Sequence, residues 1–183
     1  VSSTGLLGGG NYSGNIANAG AFLFASNSNQ SLTGIISGIG SLTKNGTGTL
    51  SLSGNNTYTG ITTLRNGTIT FAHANALGTG GNITFTGGGL QYGTGITVDI
   101  SSRIKNSTSA ILVDTNGNDV SFGSVLDSTN TLGLTKNGTG ALSLSGNNTY
   151  SGTTTINTGT LEITATGLLG GGNYAGNITN KGN

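Results

Sequence analysis

The sequence of 183 residues contains no Cys, Pro, Met or Trp, and only six basic and five acidic residues. The lack of Cys excludes disulfides and the usual structural zinc sites. The few scattered basic residues form no cluster that could neutralise phosphates, which argues against nucleic acid as a partner. No apolar run approaches the ~18 residues that a membrane span needs, so we expect no membrane insertion of this segment. Because the first residue is Val, we interpret the chain as a fragment of a longer protein.

Four small or polar residue types dominate the composition instead. Gly, Thr, Asn and Ser together account for 110 of the 183 residues. This composition is typical either of a disordered linker or of a repetitive β structure, and disorder usually goes with low hydrophobicity and high net charge. Here 32% of the residues are hydrophobic and the net charge is +1. Since the apolar residues also recur at regular spacing, an ordered β structure is the better interpretation.

Two pairs of segments repeat within the chain. Residues 42–60 (LTKNGTGTLSLSGNNTYTG) and 134–152 (LTKNGTGALSLSGNNTYSG) are identical at 17 of 19 positions, at an offset of 92. Residues 1–20 and 163–182 are identical at 14 of 20 positions, at an offset of 162. We interpret residues 1–183 as one continuous segment that holds a unit of about 162 residues plus an overlap, with internal repeats at 42–69 and 134–161. A simpler alternative is that such a segment follows every LTKNGTG block, without a larger period.

A shorter period predicts the fold. Apolar and polar residues alternate over short stretches between Gly and Asn residues, which predicts short strands with one buried face and tight turns. The pair Leu50-x-Leu52 is followed by Ile69-x-Phe71, and residues 142–144 are followed by 161–163 at the same step. Strands this short need partners, and about 20 residues is the length of one coil of a parallel β-helix. We therefore predict an all-β fold, a β-solenoid of roughly nine coils, in preference to a β-sandwich.

The repeated segments resemble a known bacterial family. Residues 42–60, continued by Thr62-x-Leu64-x-x-Gly67-Thr68-Ile69, are similar to the passenger-associated repeat of autotransporters, and residues 134–161 are closer still. The resemblance implies a right-handed parallel β-helix that is exported across a Gram-negative-type outer membrane to the cell surface or the medium. Such repeats are structural, so the resemblance provides no catalytic, cofactor-binding or metal-binding residues to carry over.

The acidic residues were considered as catalytic groups or cation ligands. The spacing of Asp99 and Asp119 is close to one predicted coil, so they could lie on adjacent coils, and glycosidases need two carboxylates about 5 to 10 Å apart. The hexapeptide from Asp114 to Asp119 offers carboxylate and amide oxygens that a calcium ion would accept, but a hydrogen-bonded turn explains the same residues. We predict no catalytic, cofactor or metal site.

A glycine motif, the histidine, two lysines and four tyrosines are of types that often occur in functional sites, but here we predict structural roles for them. Gly170-x-Gly172-x-x-Ala175 matches a dinucleotide fingerprint formally, but no helix or later acidic residue follows, so we predict a glycine corner. His73 has no second metal ligand nearby, and we expect an ordinary loop residue. Lys44 and Lys136 occupy equivalent repeat positions, and we expect them to solubilise exposed strand edges. The tyrosines at two pairs of equivalent repeat positions are expected to form corners or cover the core: Tyr58 and Tyr150, and Tyr12 and Tyr174.

These observations predict a structural extracellular protein rather than an enzyme. We expect a β-solenoid segment of a cell-surface stalk, fibre or filament that also contributes to adhesion. Its predicted partners are copies of itself, end to end or side by side, and host or environmental surfaces or glycans. The alternative is a carbohydrate- or surface-binding adhesin module. A polysaccharide-active β-helix enzyme ranks below it, as does an ice-binding solenoid, which the Thr-x-Thr pairs suggest although they keep no constant step.

Overall fold

The structure, a computed structural model that describes residues 1–182, consists of short parallel strands stacked turn upon turn into a β-solenoid. All the strand pairs between neighbouring turns are parallel, as the alternating apolar pattern and the repeat length predicted. Helical structure within the described residues is limited to three 3-10 segments, at Gly8–Gly10, Ser101–Arg103 and Gly170–Gly172. The predicted all-β solenoid is therefore confirmed.

One nine-stranded sheet, here called the long sheet, runs the whole length of the solenoid. Its strands bound about eight turns, one fewer than the predicted nine coils, because several turns are longer than the predicted coil. The turn that carries Leu90 to Val113, for example, is longer than the turn that carries Asn11 to Ser31. Numbered in chain order, its strands are β1 (Asn11–Tyr12), β4 (Gln30–Leu32), β7 (Thr49–Leu52), β9 (Thr68–Phe71), β11 (Gly89–Tyr92), β12 (Ile111–Asp114), β14 (Leu134–Asn137), β17 (Thr154–Ile156) and β20 (Ile178–Asn180).

Two further faces complete each turn. Along the chain, the second face follows the long sheet and the third face leads back to it. The second face holds β2 (Ile16–Ala17) and β5 (Ile36–Ser37), and later the three-stranded sheet of β13 (Val120–Phe122), β15 (Ala141–Leu144) and β18 (Thr160–Ile163). The third face holds the four-stranded sheet of β3 (Ala21–Phe24), β6 (Ser41–Lys44), β8 (Thr62–Leu64) and β10 (Ile83–Phe85), and later β16 (Asn147–Asn148) and β19 (Leu168–Leu169).

Inward-facing side chains of successive turns stack in register to form the core. Leu50 pairs with Ile69, which pairs with Leu90, and all three side chains are fully buried. Leu142 likewise pairs with Leu161, so the step between apolar pairs that is visible in the sequence is one turn of the solenoid in both repeats. Burial of these apolar columns is the main force that holds the turns together.

Buried asparagines connect the turns where the backbone bends and regular strand pairing stops. The Asn56 side chain accepts a hydrogen bond from the Ile36 N–H (2.7 Å) and donates one to the Ala76 carbonyl (2.6 Å). It therefore links its own turn to the turns before and after it. Asn148 accepts from the Leu126 N–H (2.9 Å) in the same way. Each buried side-chain nitrogen or oxygen within residues 1–182 has a hydrogen-bond partner.

The two copies of the repeat lie on different faces of the solenoid. The first copy begins in β6 on the third face and continues through β7 in the long sheet, whereas the second begins in β14 in the long sheet and continues through β15 on the second face. In the long sheet the strands follow the order β7, β9, β11, β12 and β14, so β14 lies four turns after β7. Since β7 is itself one face after β6, the second copy begins four turns and one face after the first.

Candidate functional surface

The outer side of the long sheet, here called the long-sheet surface, carries two rows of polar side chains. They alternate with the buried residues of each strand, so they point away from the core. One row is dominated by threonine and the other mixes hydroxyl, amide and carboxylate groups. The threonine row contains Thr49, Thr68, Thr135, Thr155 and Thr179, and the mixed row contains Ser31, Ser51, Thr70, Gln91, Asp114, Asn137 and Asn157.

Side chains of the mixed row hydrogen-bond to one another along the solenoid axis. The Thr70 hydroxyl donates to Gln91 Oε1 (2.9 Å), and Gln91 Nε2 donates to Asp114 Oδ2 (3.0 Å). Further along the same row, Asn157 Nδ2 donates to Asn137 Oδ1 (2.8 Å). These bonds fix the side chains in place, which gives the surface a defined pattern of polar groups.

The threonine row is interrupted in the middle of the solenoid. At that point Gly89 and Leu112 take the places of two threonines. A Cβ on Gly89 would lie 2.5 Å from Leu112 Cδ2, so the leucine side chain occupies the space above the glycine. An ice-binding surface of the kind considered from the Thr-x-Thr pairs needs a regular flat array. The long-sheet surface does not provide one, because only β9 presents the pair Thr68 and Thr70.

The carboxylates considered as a catalytic pair serve to cap backbone groups. Asp99 accepts hydrogen bonds from the N–H groups of Ser101 and Gly123, each at 2.8 Å. Asp119 accepts one from the Ala141 N–H, also at 2.8 Å. The two residues lie in consecutive turns and bind the backbone at separate positions, so each carboxylate has a structural role.

The hexapeptide from Asp114 to Asp119 folds as a turn held by its own side chains. Asp114 Oδ1 accepts from the Asn116 N–H (2.8 Å), and Asn116 and Gly117 have positive φ angles of 50° and 82°. Asn118 Nδ2 donates to two backbone carbonyls, and its Oδ1 accepts from the Gly95 N–H (2.8 Å). Both carboxylate oxygens of Asp114, Oδ1 of Asn118 and Oδ1 of Asp119 accept hydrogen bonds from the protein. Within residues 1–182 no group of three or more His, Cys, Asp or Glu side chains could hold a metal.

The glycine motif near the end of the chain forms a corner, as predicted. Gly170–Gly172 is a single 3-10 turn in which Gly171 has a φ of 64°, and no helix follows it within the described residues. The equivalent segment Gly8–Gly10 has the same conformation, with a φ of 63° at Gly9. His73 lies in a turn, where its Nδ1 accepts from the Asn75 N–H (3.1 Å).

Repeat-equivalent tyrosines take structural positions, as expected for Tyr58 and Tyr150. Both are buried, and each hydroxyl lies 2.7 Å from the hydroxyl of an inward-facing threonine, Thr62 or Thr154. Burial raises the pKa of Tyr58 to about 12, and that of Tyr150 is raised for the same reason. The Tyr174 hydroxyl joins the second pair at 2.6 Å from Thr154. Tyr12 packs, partly buried, against the core.

The prediction that Lys44 and Lys136 solubilise strand edges is wrong. Both side chains point into the core and are fully buried. They take inward positions of β6 and β14, because the two-residue alternation that buries Leu42 and Leu134 also buries the residue two places on. A lysine flanked by polar residues gives no sign of this on its own. The one signal in the sequence is the spacing: each lysine lies two residues after a leucine that faces the core, so the alternation of the strand places the lysine on the same side.

Comparisons with known proteins agree with the repeat pattern. Residues 42–71 and 134–163 match the model of the passenger-associated-transport repeat. The chain carries two passenger-associated-transport repeats. Over 135 residues it is also 39% identical to the adhesin BmaC autotransporter of Brucella suis biovar 1 (strain 1330). That match covers 66% of this chain but only 4% of the length of the adhesin, and no solved structure matches the chain significantly.

The match to the repeat model and the similarity to an autotransporter adhesin agree with the sequence resemblance to passenger-associated repeats. Each match begins at the strand that contains the buried lysine and ends more than one turn later, for example from β6 to β9. Among residues 1–182, none of the helical segments has the length and apolar character needed to cross a membrane. Each matched repeat thus spans about one turn and one further face of the solenoid.

Proposed function

We propose that this chain is a stalk segment in the passenger of a cell-surface adhesin. The observation that carries the proposal is the long sheet, whose nine strands stack without interruption from Asn11 to Asn180. Eight turns at ~4.8 Å per turn give a rise of about 38 Å. The similarity to an autotransporter adhesin supports a location at the cell surface or outside the cell. Its work in this proposal is mechanical and not enzymatic: it holds distal parts of the passenger away from the membrane.

The side-chain chemistry supports this role better than catalysis. The carboxylates of Asp99, Asp114 and Asp119 are bound to backbone N–H groups or to amide side chains. Glu162 accepts from the Ser143 hydroxyl (2.6 Å), and Asp127 pairs with Lys105. Acidic groups that hold turns in shape contribute to a rigid rod without disulfides.

The stalk is tested by inserting the chain between the anchor and the binding end of a displayed autotransporter passenger. We expect the distance between cell surface and passenger tip to grow by about 38 Å per inserted copy, measured by electron microscopy of tandem insertions. A matched insertion of a flexible Gly/Ser segment with the same number of residues should give a broad distribution of distances, with an r.m.s. span of about 70 Å for one copy and no constant increment per added copy. No regular increase per copy, or hydrolysis of polysaccharides by the purified chain, would overturn the proposal.

Adhesion by this segment itself is the second candidate, and the ordered long-sheet surface favours it. We propose host or environmental glycans as the ligand class, because rows of fixed hydroxyl and amide groups match the hydrogen-bonding groups of sugars. Purified chain immobilised on beads should then bind glycan arrays saturably, and Thr135→Arg with Thr155→Arg should abolish binding. Unchanged binding by the variant with Thr47→Arg and Thr139→Arg, at exposed positions outside the two rows, is the control. Absence of saturable binding would leave the stalk role alone.

Side-by-side association of the rods is the proposed self-interaction. With a net charge of +1, little electrostatic repulsion opposes the approach of two copies. We expect concentration-dependent association in analytical ultracentrifugation that changes little with salt, since few charges are involved. A strictly monomeric chain at high concentration would rule this out.

A further inference from the structure

Two lysine ammonium groups lie inside the solenoid, each between apolar side chains of the preceding and following turns. Lys44 stacks between Phe24 and Leu64, and Lys136 stacks between Val113 and Ile156. Both lysines are 0% exposed. An ammonium group in such surroundings is strongly disfavoured unless other polar groups replace its water.

Backbone carbonyls of two consecutive turns replace that water. Lys136 Nζ donates to the carbonyls of Asn137 (2.8 Å) and Gly138 (2.7 Å) in its own turn, and to that of Thr158 (3.3 Å) in the next. Lys44 Nζ donates in the same way to the carbonyl of Gly46 and, one turn further, to that of Asn66 (3.4 Å). The ammonium therefore joins two turns at a corner where strand pairing has ended.

A glycine closes each cage from the following turn. Gly67 and Gly159 have φ angles of 63° and 70°, which L side chains rarely adopt. A side chain at Gly67 would collide with the Gly46 carbonyl and the Lys44 ammonium, and one at Gly159 would collide with the Gly138 carbonyl. The cage therefore requires a glycine at this fixed distance in the sequence after the lysine.

The cage occurs twice, on different faces of the solenoid, with equivalent residues. Lys44 lies on the third face and Lys136 in the long sheet, so the surroundings outside the repeat differ. The arrangement is thus a property of the repeat and not of one position in the fold. Its ligands are neutral carbonyl oxygens, and no carboxylate of the described residues bonds to either ammonium. Divalent cations prefer sites that include carboxylates, whereas a site of neutral carbonyl oxygens alone is suited to a cation with a single positive charge.

We propose that each repeat contains a monovalent-cation site, formed by carbonyls of two turns and filled by the ammonium of its own lysine. The lysine clamps the turns together at that corner. When the side chain is shortened, the emptied site accepts a small primary alkylammonium ion in its place.

Chemical rescue tests the site directly. Lys44→Ala and Lys136→Ala, each in the full chain, are expected to lower the thermal unfolding midpoint by about 5 °C or more. Propylammonium chloride should restore part of that loss, whereas tetramethylammonium chloride at the same concentration should not, because it cannot donate hydrogen bonds. Lys105→Ala is the matched control, since this lysine is partly exposed and should show no selective rescue. Equal effects of both salts on all variants, or no loss of stability, would overturn the proposal.

A pH titration with isosteric variants provides a second measurement if the alanine variants do not fold. Burial lowers the pKa of Lys44 and of Lys136 to about 8, although Asp114 and Asp119 act in the opposite direction on Lys136. Between pH 8 and about 10.5 the unfolded chain therefore binds more protons than the folded one, so stability rises with pH in that window.

The comparison is best made between pH 8 and 10, because the buried tyrosines lower the stability above their ordinary pKa of about 10. We expect the wild-type unfolding midpoint to rise across this range, and Lys44→Met with Lys136→Met to remove the rise. A rise of the same size in the double variant would show that the ammonium groups do not occupy the carbonyl sites.

Discussion

The two passenger-associated-transport repeats have almost the same sequence and the same internal structure, but they face in different directions. In the first copy Leu50 lies in the long sheet, and in the second its equivalent Leu142 lies on the second face. The tyrosine–threonine pair, the bridging asparagine and the lysine cage recur in both. The comparison teaches that the repeat specifies its interior contacts and not its place around the solenoid.

This has a consequence for binding by the surface. A ligand that recognised the outer residues of the repeat would find them on two sides of the rod, four turns and one face apart. The repeat therefore does not build one continuous adhesive face. The long-sheet surface instead combines outer residues of both copies with those of the segment between them, including Gln91, Leu112 and Asp114.

The largest expected effect tests whether the copies are equivalent inside. Leu50→Ala and Leu142→Ala each remove a fully buried side chain and should lower the free energy of unfolding by about 2–5 kcal/mol. Chemical unfolding followed by circular dichroism measures both. Thr47→Ala and Thr139→Ala, at exposed repeat-equivalent positions, serve as controls. If one leucine variant lost the expected free energy of unfolding and the other lost almost none, the stability of the repeat would depend on the face on which it lies.

A smaller effect is expected from the bridging asparagines. Asn56→Ala and Asn148→Ala leave the N–H groups of Ile36 and Leu126 without their partners, which costs about 1–3 kcal/mol each. Hydrogen exchange should accelerate at those two amides more than elsewhere. The exposed neighbours provide the matched controls Asn55→Ala and Asn147→Ala, and comparable acceleration in these controls would argue against the bridges.

The smallest effect separates surface lysines from the caged ones. Lys105 pairs with Asp127 at 2.6 Å, but the two side chains are 27% and 31% exposed, so Lys105→Met should cost at most about 1 kcal/mol. Burial opposes ionisation of Asp127, yet hydrogen bonds from Lys105 and Thr129 lower its pKa overall. This contribution is therefore lost as the pH falls through the acid range, and salt should weaken it. Thermal melts at low and high salt measure it, and a loss as large as that expected for Lys136→Ala would contradict the distinction.

Much of the fold could be predicted, because strands, turns and stacking step are all local or periodic properties. The in-register pairs Leu50 with Ile69 and Leu142 with Leu161 follow from a constant step between apolar pairs that is visible in the sequence. The structural use of Tyr58 was also accessible, since its partner Thr62 lies four residues away. The Asp114–Asp119 turn has a local signal in the bond from the Asn116 N–H to Asp114, but the preceding and following turns supply most of its partners. The number of turns was overestimated because the longer turns, within residues 90–134 and from Thr154 to Ile178, have no distinct sequence signal.

The lysines show where prediction from residue type fails. Lys44 and Lys136 were expected at the surface because isolated lysines are rarely buried. Their ammonium groups are stabilised in part by carbonyls of the following turn, at Asn66 and Thr158. Only the stacking of successive turns brings those oxygens within reach, so the composition of the strand itself could not reveal them.

The sequence by itself determined the alternation that makes short strands, the glycine and asparagine turns, and the interior contacts of each repeat. Gly8–Gly10 and Gly170–Gly172 adopt one conformation for that reason, although they lie at opposite ends of the described residues. The tertiary structure alone decided on which face each copy lies, and it brought the carbonyls of the following turn, at Asn66 and Thr158, to the lysines. The physical reason is that local conformation depends on neighbouring residues, whereas the face depends on the summed lengths of all the turns in between.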